Sequence, residues 1–563
     1  MRSLLVLGAV ATAAIVGLGI LVVSRDGPSA TIPVELDRSR ELPQGDFYRS
    51  AMTEIPSINP FTTVDAGALR YVLTFTHGSL LDQDPGTGEL RPADAESWHR
   101  DPTDGRWHFR LRPDLRFADG RPVRGEDLAF TITMARHPDL QPKSDMAVAI
   151  AAVKQIEAVE AREIVIDDPG LDEGSVLELG SRFRIAQRSW FVRETGLDGS
   201  DVAALARAVA NVRGSGPGSG PYRIAKRADD TDDWVAGSHL NLVQNSFAWH
   251  RSAMPRAWNL AGFQHRFVPE ETTRLALLMS ESIDWFTSAA GADLAKIVEE
   301  HENLARAYRR LAYAHPQIRV VDVVWNCADP ELQAPNVRTA LGHMFDRQRI
   351  IDDLYRSLAT LPPDCESADA EIAAACKDVA RFDLDRAAEL LEAIGCGPDG
   401  RRLRIEVLCA KESPVLRRIL DLAIPDAERC NVELVPTQID YATMYARLDD
   451  GDFQGAIRLD YAAGIGADVD SIEGTMGLSR WRDARAEELR LAARAAKSTA
   501  DRIAARRSLR LHRLRSQPNS DIVRPLVEVL LHRRFRDAEP NRRGLFPETW
   551  WVAPDEQVGV GTK

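Results

Sequence analysis

The sequence predicts an α/β protein of several lobes, and three observations carry that expectation. Hydrophobic residues make up 44% and charged residues 28% of the 563, the composition of a chain that buries cores and not of a disordered one. Strand-like and helix-like runs are mixed along the whole length with no repeat of fixed period, which favours a mixed α/β fold over a solenoid. At a prior of about 150 residues per domain, the length suggests three or four domains. The net charge of −13 argues against a nucleic-acid binder, whose affinity comes mainly from clustered Lys and Arg.

The elements follow in chain order. Leu4 to Val23 carries no charge and closes at Arg25-Asp26. About 20 residues at about 1.5 Å each span a bilayer's hydrocarbon core, and an apolar run of that length exceeds the usual signal peptide. We therefore expect residues 1–25 to be an uncleaved signal anchor, a transmembrane helix, with a cleaved signal peptide as the alternative, and 26–44, with Pro28 and Pro33, to be a tether. The body is then exported and lies at the outer face of the cytoplasmic membrane. A lipid anchor on cysteine is excluded, because the first cysteine is Cys327.

Phe47 to Phe61 reads as a strand running into a turn at Asn59-Pro60. A helix is expected from about Asp201 to Val212, and Arg213 to Gly220, rich in Gly and Ser, is the most linker-like interior stretch. Tyr222–Ile224, Leu240–Val243 and Val320–Trp325 read as strands. Asp483 to Arg515, rich in Ala, Leu and Arg and without Pro or Gly, reads as helical. The six cysteines allow 15 pairings. The favoured disulfide is Cys365 to Cys376, closing the short segment after Pro362-Pro363-Asp364 in an oxidising compartment. The other four cysteines read as buried small hydrophobes.

No catalytic constellation emerges. Gly-x-Ser-x-Gly and His-Glu-x-x-His are absent, and no Cys/His spacing suggests zinc. No enzyme, cofactor or metal is indicated.

A longer ordered pattern is present instead. It runs through Phe75-Thr76-His77-Gly78-Ser79-Leu80-Leu81-Asp82 and Gly88-Glu89-Leu90-Arg91-Pro92-Ala93-Asp94-Ala95-Glu96-Ser97-Trp98. Trp107-His108-Phe109-Arg110-Leu111-Arg112-Pro113, Phe117 to Val123 and Glu126 to Phe130 follow. Gly220-Pro221-Tyr222, Glu281 to Asp284, Val324-Trp325-Asn326, Asn336 to Leu341, Asp385 to Gly395 and Gly451-Asp452-Phe453 come later in the same order. This series resembles the bacterial extracellular solute-binding proteins of family 5, the peptide- and nickel-type receptors of ABC importers.

The resemblance implies a periplasmic-binding-protein-like fold with two lobes, a cleft that closes over the ligand, and an extra inserted domain. It places lobe I at 45–80, 214–312 and 516–563, the inserted domain at 81–213 and lobe III at 314–515. The implied function is a receptor for a peptide or similar small solute, with ABC permease subunits as partners. Glu54 and Ile55 resemble a segment that lines the cleft. Peptide-binding relatives carry a Trp-x-Ala-Asp-Tyr motif whose Asp pairs with the peptide amine; here the Trp is missing and Asp460-Tyr461 arrives about three residues early. Asp460 and Tyr461 remain candidate ligand contacts, with Tyr222, Trp249 and Trp325 as candidate aromatic platforms. The alternative is a membrane-anchored signalling or scaffold protein with a degenerate cleft and no transport role.

Overall fold

The nearly continuous apolar run along Ile318–Trp325 sets the architecture of one part of the molecule. Its last six residues are all buried, as in a strand covered on both faces. In the computed structural model this strand lies inside a six-stranded sheet ordered Ala359–Thr360, Asn519–Pro525, Ile318–Trp325, Gly455–Tyr461, Leu403–Ala410, Val432–Ile439. The first four pair antiparallel and the last three parallel. The structure describes residues 45–558 except 65–68, 85–89, 169–170, 172, 255, 289–292, 316–317, 399, 462–475, 497–498 and 542. The expected anchor and tether, 1–25 and 26–44, lie outside the described residues. Among the described residues no helix is long and apolar enough to cross a membrane.

The chain divides into two units. Among the described residues the first comprises Ser288, Asp293 and those of 312–528, and the second those of 45–287, 294–311 and 529–558. In the first, Val321, Val323 and Trp325 point to one face of the sheet and join a core with Val337, Leu341, Leu391, Ile419 and Leu420 from the helices Pro335–His343, Leu384–Glu392 and Pro414–Arg429. The strand Asn519–Pro525, which the expected partition assigns to lobe I, belongs to this sheet. Its Ile522 and Val523 bury in the same core, and that burial outweighs their position late in the chain. A disulfide joins Cys365 and Cys376, with Cα atoms 4.9 Å apart. Cys396, Cys409 and Cys430 are free and buried, and Cys327 is free and half-buried.

The stretch 483–515 is helical in two pieces. Ala484–Ala495 and Thr499–Ser516 are separate helices folded against each other. Ala486 and Leu489 of the first bury with Trp481 and with Leu509 of the second. That apolar contact is available only to a hairpin of helices, so burial overrides the uninterrupted helix propensity.

In the second unit Phe47–Met52 pairs parallel with Gly262–Phe267, which pairs antiparallel with His239–Gln244, the neighbour of Tyr222–Ile224. A separate four-stranded sheet, Ala95–Arg100, Trp107–Leu111, Glu163–Asp167, Gln155–Val159, is fully antiparallel. It packs Phe109 and Ile164 against Leu128, Phe130 and Ile150 of the helices Gly125–Arg136 and Asp145–Ala152. The helix Val202–Ala210 begins at Asp201, whose side chain accepts from the Ala204 amide.

The stretch Arg213–Gly220 is packed and not a free linker. Ser215 and Ser219 are each 1% exposed. A Cβ at Gly218 would lie 2.1 Å from the Thr76 carbonyl oxygen, and one at Gly220 2.4 Å from that of Phe75. Glycine is there for close backbone approach. Far along the chain, buried Arg534 ties this unit together. It donates to Asp46, to Asp284 (2.6 Å) and to the Phe47 carbonyl (2.8 Å).

Candidate functional site

The most unusual chemistry in the first unit lies on the face of the six-stranded sheet opposite Trp325. Half of that face is apolar, with Val324 against Leu408, Met444, Leu448, Phe453 and Ala456. The other half carries charge. Asp322 and Arg458 sit directly opposite each other on neighbouring strands, and Asp460, two residues beyond Arg458, points the same way. The strand geometry therefore forces three ionisable side chains into a space that on the other half is core.

Arg458 bridges two carboxylates. Its Nη2 lies 3.3 Å from Asp322 Oδ2 and 3.1 Å from Asp460 Oδ1. Its Nε is 3.1 Å from Asp322 Oδ1, close enough for ionic attraction but misaligned, so neither atom has a hydrogen-bond partner. Asn519 Nδ2 donates to Asp322 Oδ2 (3.1 Å) and to Asp521 Oδ1 (2.6 Å). Arg513 continues the chain of charge, holding Asn519, Asp521 and Asp364 at 3.0 Å each. Asp364, beside the disulfide, also accepts from Arg510. At the other end, Arg319 Nη1 approaches Asp460 Oδ2 at 3.6 Å.

Burial decides the protonation here. Asp322 is fully buried, and loss of solvent raises its pKa to about 7 despite the opposing pull of Arg458. Burial acts to lower the pKa of Arg458, but Asp322 and Asp460 outweigh it and hold the guanidinium charged. Such a network contributes little net stability, yet breaking it is costly.

The other nominated residues are placed as follows. Trp325 is fully buried in the core, its indole N–H donating to Ser520 Oγ at 2.9 Å. Tyr222 is fully buried among Phe75, Trp258 and Phe263 in the second unit, and its hydroxyl donates to the Leu260 carbonyl at 3.0 Å. Trp249 donates to buried Asp94 at 2.9 Å and lies under the Arg112 guanidinium at 3.8 Å. All three are buried and have internal hydrogen-bond partners. Ile55 is buried and Glu54 exposed. Tyr461 ends its strand just before 462–475.

The charges missed at the sequence level are Asp322, Arg458, Arg319, Arg513 and Arg524. One signal was available: Asp322 interrupts the apolar run Val320 to Trp325. Elsewhere, Asp101, Asp104 and His108 bring potential ligand atoms within 4.8 Å of one another at a hairpin turn. Asp104 is already paired with Arg106 at 2.6 Å, and Asp101 accepts from the Thr103 amide at 2.7 Å.

The family description "Bacterial extracellular solute-binding proteins, family 5 Middle" matches residues 89–474. The chain belongs to this family. It is a divergent member of family 5. It is 22% identical over 457 residues to the peptide transport periplasmic protein SapA of Salmonella typhimurium, covering 76% of this chain and 75% of that protein. Against the probable peptide-binding protein YejA of Agrobacterium fabrum it is 25% identical over 270 residues, 45% of this chain but only 38% of the relative's length. Among solved structures, HbpA2 from Haemophilus parasuis is similar with a TM-score of 0.71 at 17% identity, covering 90% of this chain and all of that one. The murein tripeptide binding protein MppA, in its unliganded open form, gives 0.69 at 16% identity over 91% of this chain and 98% of its own. At these identities the likeness establishes the two-lobed binding-protein fold of family 5 and leaves the ligand to other arguments.

Proposed function

We propose that the protein is the solute-binding receptor of an ABC importer and captures a peptide or similar small solute in a cleft that closes over it. Family membership across residues 89–474 carries this reading. The names of relatives such as SapA and YejA support peptide as the ligand class. The proposal includes export, with the apolar segment 1–25 as anchor and ABC permease subunits as partners. It also includes a lobe I, an inserted domain at 81–213 and a lobe III, with Asn519–Pro525 moved to lobe III. A ligand drives closure only through contacts that are better in the closed state than in the open one.

The test is thermal unfolding of the purified protein with peptide mixtures, sugars, opines and metal chelates. A solute at about 100 times its Kd stabilises by roughly 2.7 kcal/mol. Peptides are expected to raise the transition temperature, and silence across all four classes overturns the reading. A second reading, a signalling or scaffold protein with a degenerate cleft, is favoured by one observation: Asp460 already has its carboxylate between two guanidinium groups. A neighbouring permease and ATPase in the genome favour transport, and their absence favours the scaffold.

A further inference from the structure

On the charged face two carboxylates compete for a single guanidinium nitrogen. Arg458 Nη2 donates to Asp322 Oδ2 at 3.3 Å and stands 3.1 Å from Asp460 Oδ1. Asp322 is the fixed member of this set, because it is fully buried and its Oδ2 also accepts from the Asn519 amide at 3.1 Å. Arg458 is the movable one, and each carboxylate gains its Nη2 at the other's expense.

A second contact shows what decides the competition. Asp322 Oδ1 and Arg458 Nε are 3.1 Å apart, yet neither has a hydrogen-bond partner. An ionised Oδ1 at that distance accepts from Nε–H and, with Oδ2 already bonded, closes a bidentate fork. A protonated Oδ1 sets its own hydrogen against the one on Nε, so two donors face each other and the guanidinium turns off line. The misalignment is that of the protonated acid, and the oxygen without a partner is the one that carries the proton.

The surrounding charges agree with this. Arg458 and Asp460 face Asp322 from Gly455–Tyr461, Asn519 and Asp521 from Asn519–Pro525, and Arg513 of the helix Thr499–Ser516 stands behind Asn519 and Asp521. Arg319, on the same strand as Asp322, lies beyond Asp460, and Tyr445 of the helix Tyr441–Asp450 acts on Arg458. Asp322, Asp460 and Asp521 thus share Arg458 and Arg513, and Arg513 is shared again with Asp364. Binding a proton is the least costly way for a buried site to neutralise an excess carboxylate. Burial raises the pKa of Asp322 to about 7, which places that exchange near neutrality.

We propose that Asp322 is a proton-operated switch for Arg458: with Oδ1 protonated, Arg458 is left to Asp460, and with Oδ1 ionised, Arg458 closes its fork on Asp322 and releases Asp460. On ionisation the O–H bond breaks, the proton passes to water, and the electron pair stays on Oδ1 to accept from Nε–H. Asp460, near the end of its strand, then keeps only the approach of Arg319 at 3.6 Å. The two-state element is one side chain between fixed acceptors, so the sheet itself need not rearrange. The switch does not depend on the receptor reading. It adds regulation, since the acidity of the surroundings sets the partner of Asp460.

The test uses the full chain in mild detergent without added solute. Infrared spectra follow the carbonyl stretch of a protonated carboxylic acid, and nitrogen-15 NMR follows exchange of the Arg458 Nε–H, identified by its absence in Arg458→Lys. Between pH 5.5 and 8.5 the acid band should vanish with a midpoint near 7, and over the same step Nε–H exchange, corrected for base catalysis, should slow on the order of tenfold. Asp322→Asn should abolish both changes and leave the Nε–H fast at every pH. Asp460→Asn removes the competing anion and should lower the midpoint, on the order of one pH unit. Melting curves confirm that the variants fold, and the pH step on the unaltered chain decides the matter should one of them fail. Nε–H exchange that does not slow across the step overturns the proposal. So does a pH response that survives in Asp322→Asn, or a midpoint that rises in Asp460→Asn.

Discussion

Replacing Arg458 by Met tests how the charged face is held together. The side chain is 8% exposed, and its partners Asp322 and Asp460 are 1% and 12% exposed. Met fills similar volume but leaves Asp322 in the sheet with only the Asn519 amide. Truncating one member of a buried pair costs about 3–5 kcal/mol, because a charge is left without a counter-charge. The cost should depend on pH. The folded-state pKa of Asp322, about 7, lies above its ordinary value, so the folded state binds the proton more tightly and this group's contribution falls as pH rises from about 4 through 7. Without Arg458 that pKa rises further. At pH 8 the variant must either hold this acid protonated far above its unfolded pKa or bury it ionised without a counter-charge, and it suffers the larger loss. At pH 5 the acid is protonated, and the loss shrinks to that of unsatisfied polar groups, about 1–3 kcal/mol. The assay is hydrogen exchange of the amides in Ile318–Trp325 and Gly455–Tyr461, corrected for intrinsic rate, which reports on this sheet and not on the whole chain. A loss of 3–5 kcal/mol is about two to four orders of magnitude in exchange at pH 8. Adding Asp322→Asn, which removes the stranded charge, should restore much of the protection. Equal loss at pH 5 and pH 8, or further loss on adding Asn, would refute the reasoning.

Three other outcomes are expected. The Cys365→Ser, Cys376→Ser double variant opens a loop of sequence separation 11, so denaturant melts should show a loss of about 3 kcal/mol, confined to the first unit. Gly218→Ala places a Cβ 2.1 Å from the Thr76 carbonyl oxygen and should cost about 1–3 kcal/mol in thermal or urea unfolding through this clash, whereas the same change at Gly196, where the space is open but φ is +70°, costs only the strain of alanine in the left-handed region, about 1–2 kcal/mol. Buried His77 has its pKa lowered to about 3, chiefly by burial and then by Arg184. Its unfolded state takes up a proton near pH 6.5 and its folded state does not, so stability falls as pH drops from about 6.5 toward 3. His77→Gln should flatten that slope by up to about 1.4 kcal/mol per pH unit in acid-unfolding titrations.

The parts of the fold that sequence could show are those with local signatures. Asp201 before an apolar-periodic run marked the start of a helix, and the β-rich run before Asn326 marked the central strand. The ordered series from Phe75 to Phe130 carried the family. Where tertiary contact decided the outcome, local reading failed. Nothing within 483–515 reveals that Leu509 folds back on Ala486 and Leu489. The Gly-rich stretch at 213–220 has the composition of a linker, and only the nearness of the Phe75 and Thr76 carbonyls explains its glycines. The charged face was illegible for a similar reason. Asp322, Arg458 and Asn519 come from three strands far apart in the chain, |i−j| being 136 from Asp322 to Arg458 and 197 from Asp322 to Asn519. Only strand register brings them together.

The same long-range closure governs when the protein can fold. The central strand of the first unit waits for Asn519–Pro525. In the second, Asp46 waits for Arg534, 488 residues later. Neither unit is complete until nearly the whole polypeptide has been synthesised, and pairings of such separation form slowly. For the export proposed above this matters: a chain that completes neither unit until its last residues are made is slow to reach a compact state, and passage through a membrane pore requires a chain that is not yet compact.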